Sequence, residues 1–264
     1  MAGLTNELVL IGGGNMGSAL VGGLVAGGWD PNGIVVVELD AAKRSDLDNR
    51  FGVRTSAEIV AGNGAVIAVK PGDAVAVCAR VASLGTPRAL SIAAGISAST
   101  LQQAAGPRCA VVRAMPNTPA LVREGVTAIT GSEACTGSDL DWAERVLSAV
   151  GLVVRVPESQ MDAVTAVAGS GPGYLFLFAD ALLAAAIEEG LPADVAEVLV
   201  RQLFKGAGAL LSSSDESPAT LRERVTSPNG TTFAGLSVFE NDGLRATVHK
   251  AVRAAAERSA EMGK

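Results

Sequence analysis

The chain has a single histidine, His249, inside a helical pattern near the end. That argues against a serine-hydrolase triad and against a histidine acid–base pair of the dehydrogenase kind, since both need an imidazole at the reacting centre. His249 is read as structural. Cysteine is also scarce. Cys78, Cys109 and Cys135 are odd in number, far apart and free of CxxC spacing, which argues against a disulfide framework and against a zinc site. They read as buried thiols in a reducing compartment, so a cytoplasmic location is expected and no metal is. Basic tracts are missing: Lys and Arg are scattered singly and the formal net charge is −6. Nucleic-acid binding needs clustered cations and is not expected. Aromatic residues make up only 3%, so the core must be built mostly from Ala, Val, Leu and Ile.

Two further absences concern membranes. The opening Met1-Ala2-Gly3-Leu4-Thr5-Asn6 lacks the basic n-region of a signal peptide. One stretch, Ala163 to Ile187, could mimic a membrane span. It contains Gly169-Ser170-Gly171-Pro172-Gly173 and Asp180. Its uninterrupted helical part, from Tyr174, is read as shorter than the roughly 20 residues a span needs. The stretch reads as a core or subunit-interface helix, and no membrane partner is expected.

Hydrophobic residues make up 48% of 264 and charged residues 18%, enough to bury a sizeable core. Apolar runs at Glu7–Ile11, Ile34–Glu38, Ala65–Val69, Ala89–Ile92, Ala110–Arg113, Val126–Thr130 and Leu152–Val156 read as strands. Runs of this kind suit parallel strands covered on both faces. Helical patterns at Ser18–Ala26, Lys43–Phe51 and Asp73–Leu84 alternate with them. The alternation predicts an α/β fold with a doubly wound sheet. After Pro157 strand-like runs disappear. Helices are predicted at roughly Met161–Ala168, Gly171–Glu189, Ala193–Ser212, Pro218–Val225, Thr231–Asn241 and Leu244–Glu261. The expected domains are therefore 1–157, sheet-based, and 158–264, all-α. The second of these helices is apolar nearly all round, as expected of one wrapped by others, including those of a second chain.

Gly12-x-Gly14-x-x-Gly17 lies between a strand and a helix. Glycines there give a tight turn, let a pyrophosphate approach the backbone and allow close helix–strand packing, while the helix start favours phosphate. Glu38 ends the second strand, 21 positions after Gly17. It is read either as an acceptor for ribose hydroxyls, favouring NAD(H) over NADP(H), or as a solvated carboxylate; Lys43 and Arg44 nearby could reverse the preference. Ala68-Val69-Lys70-Pro71 ends the next strand, where ligands of open α/β sheets sit. Lys70 reads as a cleft residue or a surface lysine. Arg113-Ala114-Met115-Pro116-Asn117-Thr118-Pro119-Ala120 reads equally as a cleft wall and as a rigid turn. Ser227-Pro228-Asn229-Gly230-Thr231-Thr232 leads into a helix. It suits a small carboxylate, or is an ordinary cap made by Thr231.

These segments, with Asp162–Tyr174, resemble pyrroline-5-carboxylate reductases from Leu8 to about Glu261. Ile11–Gly17 is similar to the family's cofactor loop, Ala68–Pro71 to its second cofactor segment, Arg113–Ala120 to its RAMPNTPA stretch, and Ser227–Thr232 to its SPGGTT signature. The resemblance implies a Rossmann-type sheet domain followed by an all-α dimerisation domain. It implies reduction of 1-pyrroline-5-carboxylate to L-proline, the last step of proline synthesis, by NADPH or NADH, with Glu38 leaning toward NADH. Cofactor contacts would come from Gly12, Gly14, Asn15, Met16, Gly17, Glu38, Ala68, Val69, Lys70, Pro71, Ala94 and Asn117. Ser227, Gly230, Thr231 and Thr232 would bind the imino acid in a homodimer or an assembly of dimers with shared sites; Thr232 and Lys70 would be the catalytic pair. Asn229 stands where the signature has glycine. If that position needs positive φ, asparagine is the least costly substitute. It also leaves open a six-membered cyclic imine as substrate, and a non-enzymatic cofactor sensor is the remaining alternative.

Overall fold

The computed structural model describes residues 6–263; the reading of the leader at Met1–Thr5 lies outside the described residues. By compactness the chain forms two units. One runs to Ser170 and takes up the chain again from Ala255; the other is Gly171–Ala254. The compact division therefore falls after Ser170, beyond the composition change at Pro157. Met161 and Ala166, past that change, are fully buried within the sheet unit.

The first unit is built on β1 (Leu8–Ile11), α1 (Asn15–Ala26), β2 (Ile34–Val37), α2 (Ala41–Phe51), β3 (Arg54–Ser56), β4 (Ala65–Ile67), α3 (Pro71–Ser83), β5 (Arg88–Ser91), α4 (Ala98–Ala105), β6 (Ala110–Met115), β7 (Gly125–Gly131), α5 (Gly137–Leu147) and β8 (Gly151–Arg155). The strands form one sheet in the order β3-β2-β1-β4-β5-β6-β7-β8. All neighbours are parallel except β6 and β7, which pair antiparallel with Val112 opposite Gly131. Strand direction in sequence reverses between β1 and β4, the switch point at which open α/β sheets bind ligands. Alternate strand residues feed two cores. Leu8, Leu10, Val36, Val66 and Val112 pack with α1, α2 and α5 through Leu20, Leu24, Leu47 and Val146. Val9, Ile11, Val37, Ile67 and Val111 pack with α3 and α4 through Cys78, Val81 and Leu101. Burial on both faces explains the continuous apolar runs.

Three elements had no clear signature. β3 is three residues long, polar and partly exposed. α4 has eight residues and is capped by Ser97, whose side chain accepts from the Thr100 N–H. α5 opens with a capping box of Thr136 and Asp139, a helix-start signal that lies outside any apolar run.

The break in Ala163–Ile187 falls at Ser170, but the helical part after it starts at Gly171 and not at Tyr174, and the reading of the stretch as too short to span is corrected. Helix runs from Glu158 to Glu188, 31 residues, and by length and composition could cross a bilayer. It passes through α6 (Met161–Val164) and a π-helical turn, Thr165–Gly169, closed by Ser170 N–H on the Thr165 carbonyl at 2.9 Å. It resumes as α7 (Gly171–Glu188). Pro172 stands at the second position of α7, where no N–H is required, so it does not break the helix.

The second unit comprises α7, α8 (Ala193–Ser213), α9 (Pro218–Arg224), α10 (Thr231–Asn241) and most of α11 (Leu244–Met262). Its apolar faces are largely uncovered within one chain. Phe176, Leu177 and Val198 are 69%, 70% and 67% exposed, and no residue of α7 is buried. Phe178 lies 6.3 Å from Phe204 and 5.9 Å from Phe239, ring centre to ring centre. Isolated exposed leucines are ordinary; contiguous faces of this size are the mark of association.

Gly23, inside α1, tests the packing of the sheet unit. A Cβ there would stand 2.4 Å from the Ala149 carbonyl oxygen. Helix propensity alone favours alanine by about 1 kcal/mol. We expect the clash to prevail, so that Gly23→Ala lowers unfolding stability by about 1–3 kcal/mol in urea denaturation; an unchanged or raised midpoint would contradict this packing.

Candidate active site

In the first unit, β1 delivers the chain into Gly12, whose N–H donates to the Val37 carbonyl at 2.8 Å and whose φ is +107°. That angle is open to glycine and strained for L side chains. A Cβ on Gly12 would stand 2.4 Å from the Ala68 carbonyl oxygen, and one on Gly17 would stand 2.0 Å from the Gly12 carbonyl oxygen. Gly14 is different: nothing lies within 4 Å of its missing side chain. Gly14 is also the N-cap of α1 and supplies no side-chain cap. The first turn of α1, including Asn15, Met16 and Gly17, therefore offers backbone N–H groups to an open surface, a cradle suited to a pyrophosphate.

Glu38 leaves the end of β2 and faces this loop. One carboxylate oxygen accepts from the Gly13 N–H at 3.0 Å and the other from the Asp40 N–H at 3.0 Å. Arg44 does not pair with that carboxylate; its guanidinium donates to the backbone carbonyls of Glu38 and Leu39 at 2.7 and 2.8 Å. Partial burial pulls the carboxyl pKa up, but the N–H groups of Asp40 and Gly13, the charge of Lys43 and the Leu39 N–H together hold it below the ordinary glutamate value. Glu38 is thus a clasp on the glycine loop with an oxygen lone pair left on each side, and not merely a solvated carboxylate.

Ala68 sits against Gly12, its N–H on the Ile11 carbonyl at 2.8 Å. Lys70 is exposed and is the N-cap of α3, with Pro71 at the first position of that helix. Ala94 lies in the turn after β5, next to Gly95 at φ +76°. Gly12–Gly17, Glu38, Ala68, Val69, Lys70, Pro71 and Ala94 thus follow the carboxyl ends of β1, β2, β4 and β5, which are neighbours in the sheet. Asn117 is 9% exposed, two residues past β6. Both ends of its amide are engaged: Oδ1 accepts from the Val126 N–H at 2.9 Å, and Nδ2 donates to the Ala168 carbonyl at 3.1 Å.

The second unit holds Ser227–Thr232. Asn229 has φ +59°, one of two non-glycine residues with positive φ among those described, so asparagine meets the backbone requirement. The Gly230 N–H donates to the Ser227 carbonyl at 3.0 Å, and a Cβ on Gly230 would stand 2.3 Å from the Ser227 Oγ. Gly230, not Thr231, is the N-cap of α10, and no side chain caps the helix. The reading of Thr231 as cap is thereby corrected. Thr231 and Thr232 are exposed in the first turn, with backbone N–H groups and hydroxyls open to a small anion. Two features escaped sequence reasoning: the Gly13 bond to Glu38, and the anchoring of Asn117. Neither has a sequence signal, because each joins residues far apart in the chain that only the folded sheet unit brings together.

Residues 158–262 match the family model for pyrroline-5-carboxylate reductase dimerisation, and residues 7–95 match that for coenzyme F420-dependent NADP oxidoreductases. The chain is 41% identical to a pyrroline-5-carboxylate reductase of Synechocystis, over 98% of each chain. It is also 41% identical to one of Pseudomonas aeruginosa, over 98% of this chain and 97% of the other. Among solved structures, a pyrroline-5-carboxylate reductase from Coxiella burnetii superposes with a TM-score of 0.93 at 36% identity, covering 98% of this chain and 99% of that one. The Plasmodium falciparum pyrroline carboxylate reductase with NADP bound gives 0.83 at 28% identity, covering 99% and 100%.

The clasp makes a pH-dependent prediction. A carboxyl whose pKa is lower folded than unfolded stabilises the fold fully above its unfolded value and loses that contribution as pH falls through the folded value. Thermal melts of the native protein and of Glu38→Gln should therefore differ most near neutral pH and converge as the pH drops below the ordinary glutamate range. A difference independent of pH would contradict the clasp.

Proposed function

Since the chain belongs to the pyrroline-5-carboxylate reductase family and is an NAD(P)H-dependent oxidoreductase of the last step of proline synthesis, we propose that the Gly12–Gly17 cradle takes the coenzyme and that the Ser227–Thr232 loop takes the imino acid. The observation that carries this reading is the uncapped start of α10. It leaves backbone N–H groups with no side-chain partner beside three hydroxyl side chains, Ser227, Thr231 and Thr232. Those groups match the carboxylate of an imino acid, which fixes the ring while one hydroxyl reaches its nitrogen.

The coenzyme fits the residues present: Gly14 leaves room for a pyrophosphate at the uncapped start of α1, with Asn15, Met16 and Gly17 beneath it. Ala68, Val69, Lys70, Pro71 and Ala94 line the adjoining strand ends. Bound NAD(P)H supplies the hydride that adds to the imine carbon. Ser227, Gly230 and Thr231 hold the substrate carboxylate. Thr232 holds the ring nitrogen and passes it a proton from water, because a threonine hydroxyl is too weak an acid to give one unaided at neutral pH. Lys70 places positive charge at the cleft. The protein's main contribution is alignment of the two reactants.

Asn229 meets a backbone requirement for positive φ, so it gives no reason to prefer a six-membered imine. The uncovered faces of α7 and α8 fit pairing with a second copy in a homodimer or an assembly of dimers that shares the site, and the free thiols fit a reducing, cytoplasmic location.

The assay is turnover of pyrroline-5-carboxylate with each coenzyme. Thr232→Ala should lower kcat by about 100-fold, while Thr232→Ser retains most activity; equal activity in all three proteins would remove Thr232 from the mechanism. Coenzyme choice follows Glu38. A carboxylate with one lone pair per oxygen still available accepts ribose hydroxyls and repels a 2′-phosphate. We expect NADH to serve at least as well as NADPH, and Glu38→Ser to shift the kcat/KM ratio toward NADPH by about 10-fold. A ratio unmoved by the substitution would assign Glu38 to the loop clasp alone.

A further inference from the structure

At and beyond the end of β6, alternate residues face one segment of chain. Arg113, 6% exposed, binds the Glu158 carboxylate at 2.5 Å. A Cβ on Gly169 would stand 2.8 Å from the Met115 methyl. Asn117 donates to the Ala168 carbonyl at 3.1 Å while its Oδ1 accepts from the Val126 N–H at the start of β7. Positions two apart point the same way on extended chain, so the three form a row along Glu158–Gly169. From another side, Ser259 near the end of α11 donates to Asp162 Oδ1 at 2.7 Å. Within this segment Thr165–Gly169 is π-helical, a conformation that costs hydrogen-bond quality and clusters at functional sites. The Ala168 carbonyl falls inside that turn, and the second unit begins at Gly171.

We propose that Asn117 is a positioning residue: its carboxamide pins the π-helical turn to the end of β6, three residues before the unit that carries Thr232 begins. Its role in the reaction is to hold the last turn of the sheet unit, from which the chain runs on to Thr232, and not to bind the coenzyme. The inference rests on the reading of Thr232 given above. It accounts for a carboxamide at this position, because one side chain must accept from one backbone N–H and donate to a carbonyl 51 residues away. Neither a carboxylate nor a hydroxyl reproduces both bonds in this arrangement at neutral pH.

The test compares Asn117→Ala and Asn117→Asp with the native enzyme in three measurements: kcat for pyrroline-5-carboxylate, the dissociation constants of NADH and NADPH, and hydrogen exchange of amides in residues 165–170. Aspartate keeps the acceptor for Val126 and replaces the donor to Ala168 by an oxygen that repels that carbonyl, so it carries the test if the alanine variant does not fold. We expect kcat to fall by about 10- to 100-fold, coenzyme dissociation constants to stay within about 2-fold, and exchange to accelerate in residues 165–170 ahead of the rest of the sheet unit. A coenzyme dissociation constant raised about 10-fold or more with kcat retained would make Asn117 a coenzyme ligand and overturn the proposal. Unchanged kcat and exchange would overturn it too. Absence of turnover in the native enzyme would instead refute the assignment of Thr232's reaction, while the exchange rates still test the pin by themselves.

Discussion

The first turn of α1 approaches the end of β1 so closely that no side chain fits between them. The Gly12 carbonyl would lie 2.0 Å from a Cβ on Gly17, and the Ala68 carbonyl 2.4 Å from one on Gly12. This approach aligns the helix start with the switch point between β1 and β4. It leaves Gly14 facing open space, so that what meets a ligand there is backbone and not side chain. Glu38 closes the arrangement from the neighbouring strand by holding the Gly13 N–H. The coenzyme site proposed at this loop therefore depends on three absent methyl groups and one carboxylate, and on a sheet whose two buried faces keep β1, β2 and β4 in register.

The loop proposed to bind the imino acid follows a different rule. α10 begins without a side-chain cap, on a glycine that contacts the Ser227 hydroxyl and after an asparagine in the left-handed region. A helix start with glycine in place of the usual Ser, Thr, Asn or Asp cap gives up only about a few tenths of a kcal/mol. It keeps N–H groups open for a carboxylate in return. Positive φ at Asn229 ties the loop's path to a residue type that tolerates it, so its departure from glycine is conformational.

Much of this was legible in the sequence, for identifiable reasons. Val35, Val36 and Val37 are buried on both faces, so parallel strands announce themselves as unbroken apolar runs. Glycine at 12 and 17 is dictated by the steric approach just described, whereas Gly14 faces open space. What was not legible depends on long-range partners. β3 has only Arg-Thr-Ser to mark it. The helix start at Gly171-Pro172-Gly173 follows a π-turn closed by the Ser170 N–H on the Thr165 carbonyl, with Asn117 donating to Ala168 within it. Thr231 looked like a cap because threonine usually is one, yet Gly230 takes the position. Glu38 and Asn117 each hold two backbone partners within the sheet unit, which residue type alone does not announce.

The central claim is that one chain presents a backbone cradle for a dinucleotide at Gly12–Gly17 and an uncapped helix start for an imino acid at Ser227–Thr232. The most direct measurement is a crystal structure of the enzyme with NAD(P)+ and L-proline, the products of imine reduction. The account predicts the pyrophosphate against Gly14 and the start of α1, with the proline carboxylate on the N–H groups at the start of α10 and its ring nitrogen at the Thr232 hydroxyl. A proline carboxylate bound elsewhere, with the start of α10 left to solvent, would contradict it.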